Sequence, residues 1–212
     1  NSDLIIQAID KFSKNLDEFK KVIADKDGKK LIEIFNKSKE LRKSIIKVLG
    51  CLLQNNHSKV IFYHDLHLNR RYTDMSTHID LFRVHIDLIQ ELGYEIVTNI
   101  NNPHGQIEIG FDDGFLGVYE NIDVIKDLNI PVQLFIISSF IGNTNYMDKD
   151  QLLELSYSSQ ITISSHTHQH KILNSITDGE IFQELQLSKD ILEKLIKTKI
   201  LSVAFPEGKF NK

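Results

Sequence analysis

The chain has 212 residues, with 25 basic and 29 acidic side chains, nine histidines, one cysteine and three prolines, for a formal net charge of -4. At 41% apolar residues it is too hydrophobic for a disordered segment, and no run approaches the roughly 18 apolar residues a spanning helix needs. The lone Cys51 cannot build an internal disulfide framework, and the acidic balance leaves no basic stripe for nucleic acid.

Charge and histidine are unevenly spread. Residues 1–50 hold twelve Lys/Arg and eight Asp/Glu, a balance of +4, which leaves 13 and 21, or -8, for residues 51–212. Every histidine lies in the second part. Two units are expected, a basic one at 1–50 and a histidine-bearing one at 57–212, joined near 54–58.

The first unit carries apolar stripes at Ile5, Ile9, Phe12, Leu16, Phe19 and Ile23, and again at Leu31, Ile34, Phe35, Leu41, Ile45 and Val48. Both follow the three-four spacing of an amphipathic helix, and Asp25-Lys26-Asp27-Gly28 between them is a turn signal. An α-helical hairpin of this size cannot bury both faces alone, so a homodimer through these N-terminal helices is expected. Leu16-Asp17-Glu18-Phe19, then Asp27, Leu31, Phe35, Lys39 and Arg42, resemble the helical C-terminal tail of prephenate dehydrogenases over about 11–49. No G-x-G-x-x-G fingerprint accompanies it, so a dehydrogenase activity would need a domain this sequence lacks.

In the second unit β-rich apolar runs fall at 60–63, 95–98, 107–111, 132–137, 161–164 and 201–205. Helical patterns occupy 76–92, 116–128, 149–155 and 178–197. Alternation of this kind predicts βα units around a mainly parallel sheet. Functional groups in such folds sit where strands run out into loops. Four strand ends carry polar motifs here: His64-Asp65, Asp112-Asp113-Gly114, Ser165 to His170, and Pro206-Glu207-Gly208.

Adjacent carboxylates in one partly buried place repel and desolvate each other, so Asp112-Asp113 asks for a cation. His166 and His170, four residues apart, are spaced to converge on one point, and two imidazoles with a carboxylate form the open three-ligand set of a catalytic metal site. His168 lies between them and is expected in a supporting or surface role. His78 and His85 fall on a predicted helix, and His57, His67 and His104 fall in loops where nothing marks them. Cys51 has no basic or histidine neighbour and reads as an inert thiol.

The runs Ile107-Glu108-Ile109-Gly110-Phe111-Asp112-Asp113-Gly114-Phe115, Ser165-His166-Thr167-His168-Gln169-His170 and Ala204-Phe205-Pro206-Glu207-Gly208-Lys209-Phe210 resemble, in order and spacing, the first three motifs of the polysaccharide deacetylase (NodB-homology) family. Phe62-Tyr63-His64-Asp65 resembles the family's opening strand, and the likeness spans about 57–212. The resemblance implies an incomplete or distorted (β/α) barrel and a hydrolase that removes acetyl groups from N-acetylated carbohydrate. It implies Asp112 as general base, Asp113, His166 and His170 as ligands of a divalent metal, zinc first among them, and Thr167 as a support for the ligand loop. Pro206, Glu207 and His64 would line the substrate or oxyanion side, with a backbone N–H of the third motif as donor.

The third motif departs from the family pattern, in which an arginine often stands at the position of Ala204 and an aromatic at that of Glu207. The family's later strands and its general-acid histidine would fall after Lys212, so the visible chain is expected to be a fragment. Its start shows no charged segment followed by an apolar core, which leans towards the cytoplasm. Two other functions compete: a catalytically impaired carbohydrate-binding relic of the same fold, and a dimerisation module related to a prephenate dehydrogenase-like protein. A two-His-one-carboxylate iron oxygenase fits poorly, because no histidine stands two residues from Asp113.

Overall fold

A computed structural model describes residues 56–209 and a scatter of positions between 21 and 39. The chain divides into two compact units, Asn1–Gln54 and Asn55–Lys212. In the first, Lys21, Val22 and Ala24 are helical, Asp25 is in a turn, and the described positions from Lys29 to Lys39 are helical again. Asp27 Oδ1 accepts from the Lys30 N–H at 3.0 Å, starting that second stretch. The rest of the expected hairpin, its dimer contact and the bulk of the resemblance over 11–49 lie outside the described residues.

The second unit begins with β1 (Lys59–Tyr63), then two short strands, β2 (Asp65–His67) and β3 (Ser76–His78), which pair with each other in parallel. Helix α1 (Ile79–Glu91) follows and leads into β4 (Glu95–Val97) and β5 (Gln106–Phe111). Then come α2 (Leu116–Glu120), α3 (Ile122–Leu128), β6 (Val132–Ile136), α4 (Lys149–Ser156), β7 (Ile161–Ser165) and α5 (Asp178–Ile196).

All pairings in the main sheet are parallel, in the order β1-β5-β6-β7. β1 runs along one edge of β5, while β4 and β6 pair with its beginning and its end. Because these strands all run parallel, the loops that follow β1, β5 and β7 leave the same edge. Val132, Leu134 and Ile136 in β6 and Ile107, Ile109 and Phe111 in β5 alternate onto the helix-covered face. Phe82 of α1 packs against Phe111 with ring centroids 5.6 Å apart, and Phe82, Ile86 and Ile89 are fully buried, each contributing about 1.5–3 kcal/mol of transfer free energy. The opposite face carries a hydrogen-bonded polar row: Gln133 donates to Glu108 Oε1 at 2.7 Å, and Ser164 donates to Gln133 Oε1 at 2.8 Å.

Three expectations need correction. The helix predicted from residue 76 starts at Ile79, because Ser76–His78 pairs as a strand and His78 caps the helix by accepting from the Asp80 N–H. The single helix over 116–128 is broken at Asn121, whose side chain donates to the carbonyls of Leu66 and Gly117 and ties the break to β2. The run at 201–205 makes only an isolated parallel bridge, Val203 to Ser165, with Leu201 left 89% exposed. The Ser165 N–H donates to the Ser202 carbonyl and the Ala204 N–H to the Ser165 carbonyl, each at 3.0 Å, so the pairing is confined to one residue of β7.

Candidate metal centre

The site is assembled at the carboxyl edge of the sheet. The Asp112 N–H donates to the Tyr63 carbonyl at 2.9 Å, which locks the end of β5 to the end of β1 and brings His64 alongside. The chain then turns through Asp113 at φ 73° and Gly114 at φ 86°. A side chain at Gly114 would also press on Ile136, so the turn requires glycine. A left-handed aspartate is strained, a common sign of a functional position. The turn directs the Asp113 carboxylate into the sheet edge, where the residue is only 8% exposed.

From β7, His166 and His170 reach the same point. Asp113 Oδ1 lies 3.5 Å from Nε2 of each histidine, and the two Nε2 atoms are 3.2 Å apart. His166 Nδ1 stands 2.9 Å from the Ala204 carbonyl, an acceptor only, so that nitrogen carries the proton and Nε2 presents its lone pair to the centre. Asp113 Oδ1 is buried with no hydrogen-bond partner among the described residues. An orphaned carboxylate oxygen facing two imidazole nitrogens is a socket for a cation, and the two-nitrogen, one-oxygen set suits a divalent ion of borderline softness.

Asp112 is half-buried beside this socket. Burial first, and the charge of Asp113 second, push its carboxyl up to about 7. Burial lowers His64, opposed by the charge of Asp113 and reinforced by His170, which puts its ring in the field of the centre. Burial likewise lowers His166 despite its bond to Ala204, favouring the neutral form a ligand needs.

Other sequence candidates separate here. His168 bonds Ser138 Oγ through Nδ1 at 2.9 Å. Thr167 accepts the His170 N–H at 3.1 Å and so does brace the ligand loop. Pro206 and Glu207 form a tight turn, with Glu207 at φ 54° and near enough to His170 to feel its charge. The Glu207 carboxylate is held by Lys209 at 2.6 Å, which offsets the extra negative charge at this motif. His85 is a packing residue, bonded through Nδ1 to the Tyr63 hydroxyl at 3.1 Å. His67, unmarked in the sequence, is buried between Ser76 Oγ at 2.8 Å and Arg71 Nε at 3.2 Å.

Two participants were not visible in the sequence. The Ala204 carbonyl orients His166 as backbone, so no side-chain pattern announces it. Tyr146 stacks on Phe115 at 4.7 Å between ring centroids, and its hydroxyl is raised by burial and by the charge of Asp113. Its signal was present only as an isolated aromatic in a loop.

The model of the polysaccharide deacetylase family matches residues 99–212, more than half of the sequence. The chain belongs to the polysaccharide deacetylase family. Within the family it is 25% identical over 141 residues to YxkH of Bacillus subtilis, covering 61% of this chain and 50% of that protein. It is 32% identical over 101 residues to the poly-beta-1,6-N-acetyl-D-glucosamine N-deacetylase of Staphylococcus epidermidis, covering 45% of this chain and 34% of that one. It thus spans half, and a third, of these curated relatives. The crystal structure of BC0361, a polysaccharide deacetylase from Bacillus cereus, superposes with a TM-score of 0.63 at 22% identity, over 74% of this chain and 53% of the other. That likeness establishes the fold in common.

Proposed function

We propose that this chain carries the catalytic site of a metal-dependent hydrolase that removes acetyl groups from N-acetylated carbohydrate, on an incomplete (β/α) barrel. The observation that carries the reading is the convergence of Asp113, His166 and His170 on one point with a second, half-buried carboxylate, Asp112, beside it. Asp113, His166 and His170 would hold the metal, for which zinc is the first choice. When bound, such an ion lowers the pKa of a water and polarises an amide carbonyl.

The remaining work falls to the protein. Asp112, with its carboxyl near 7, takes the proton of the attacking water as the new C–O bond forms. The turn at Pro206-Glu207 supplies a backbone N–H for the developing oxyanion. Asp112 then returns that proton to the departing nitrogen as the C–N bond breaks, leaving acetate and a free amine, while His64, just past the end of β1, lines the substrate side. The half-buried Tyr146, stacked on Phe115 beside the site, offers an aromatic face to the sugar ring.

A polymer of N-acetylglucosamine is the first substrate to try, because one relative is named for that activity. Acetate release from N-acetylglucosamine oligomers by the zinc-loaded protein, lost in Asp112→Asn with zinc still bound, is the expected result. Zinc binding without acetate release from any such oligomer would favour the carbohydrate-binding relic instead.

A further inference from the structure

Two of the three metal-binding positions sit on a loop that has no regular secondary structure, and its backbone is unusual. Thr167 and His170 adopt left-handed conformations at φ 65° and 59°. Such a loop keeps its shape only if its surroundings over-determine it. Its amides are satisfied by side chains: the Thr167 N–H donates to Ser165 Oγ at 3.2 Å, the Gln169 N–H to Glu184 Oε2 at 2.6 Å, and the His170 N–H to Thr167 Oγ1 at 3.1 Å. Two of these lines end on α5. Glu184 and Ser188, one helical turn apart, both face inwards, with Ser188 Oγ 2.8 Å from Ser165 Oγ.

Glu184 is the costly member. It is a carboxylate only 4% exposed in the middle of a helix, and its ion pair to Lys171, at 3.6 Å, uses a lysine whose side chain is 40% exposed. A pair of that kind does not repay the desolvation of a buried charge. The short bond from the Gln169 N–H does more: a charged acceptor on a backbone amide makes a strong, directional bond. That amide belongs to the residue immediately before His170.

We infer that Glu184 is a positioning residue for the metal centre, fixing the loop at Gln169 so that His170 Nε2 stands against Asp113 and His166. The inference rests on the three-ligand site proposed above. Glu184 touches neither ligand side chain nor substrate; it acts through the peptide that precedes His170. Helix α5 is thereby the scaffold of the ligand loop as well as a cover for the sheet.

The test is Zn2+ affinity of the whole chain, measured by competition with a chromogenic chelator, alongside thermal unfolding of the metal-free protein. Glu184→Ala, and Glu184→Met which keeps the volume but not the acceptor, should weaken Zn2+ by about 10- to 100-fold, the usual range for residues that orient ligands. Glu184→Gln keeps an acceptor for the Gln169 N–H and should stay within about threefold of wild type. A residue of merely structural importance would lower the unfolding temperature of the metal-free protein and leave the affinity of the folded fraction unchanged. Wild-type affinity in folded Glu184→Met, or a loss in Glu184→Gln as large as in Glu184→Met, overturns the positioning role. Asp113→Ala separates the two levels: if it too binds Zn2+ normally, the site itself is wrong, whereas a loss there with none in Glu184→Met removes only the positioning role.

Discussion

Asp112 and Asp113 are neighbours in sequence, yet the turn between them gives them different surroundings. Asp113 is directed at two imidazoles, and its unpartnered oxygen needs a cation; Asp112 stays beside the socket with its carboxyl raised by burial and by its neighbour. Exchanging their roles is therefore impossible without moving the backbone. Asp113→Ala and His170→Ala should abolish stoichiometric zinc binding, read by metal analysis of the purified protein. Asp112→Asn should retain zinc and lower kcat by about 10²- to 10⁴-fold, the usual contribution of a proton-transfer group. Retention of activity in Asp112→Asn would place the base elsewhere. The convergence of Asp113, His166 and His170 was legible in the sequence because all three are side chains at strand ends, whose spacing survives in one dimension. The Ala204 carbonyl was not, since any residue there offers the same atom. Nor was Glu184, which meets Gln169 fifteen positions away with no shared pattern.

At the scale of elements, apolar alternation located the sheet well, and the misreadings occur where a polar side chain overrides periodicity. Asn121 splits a continuous helical pattern because its amide has two carbonyls to serve, one of them on β2. The stretch Ser76–His78 pairs as a strand although the apolar stripe that follows suggested a longer helix. The close contact behind this arrangement is between α2 and β2. A Cβ on Gly117 would overlap Asp65 Oδ1 and the Leu66 carbonyl, neither of them the free end of a flexible chain. Asp65 is itself fully buried, with Oδ2 accepting the Tyr72 N–H at 3.3 Å. Gly117→Ala should thus act against the usual helix-stabilising effect of alanine and destabilise by about 1–3 kcal/mol through overpacking. Urea unfolding measures it, and an unchanged or higher midpoint would mean that α2 can slide away from β2. Since β2 begins one residue after His64, the same variant should also lower kcat.

The stability of the unit as a whole should carry the mark of its buried histidines, because the parallel sheet and its helices enclose several of them in neutral form. His85 is the clearest, with a ring 4% exposed between α1 and β1 and a pKa held down to about 4 by burial. An unfolded chain regains a value near 6.5. As pH falls from 6.5 the unfolded state takes up this proton before the folded state does, so stability is complete above 6.5 and drains away down to about 4, below which this histidine adds no further slope. The interval of about 2.5 units corresponds to roughly 3 kcal/mol at most, at 1.36 kcal/mol per unit. His64, His67 and His166 are lowered as well and pull in the same direction, so the decisive quantity is the difference between two proteins. His85→Leu leaves the Tyr63 hydroxyl without its partner and should be less stable than wild type at pH 7.5. Between pH 6.5 and 4.5 its urea midpoint, measured with a chelator present, should fall less steeply than that of wild type, and the two curves should draw together. Parallel curves over that interval would mean that His85 is already protonated in the folded protein and that the cover of α1 over β1 admits water.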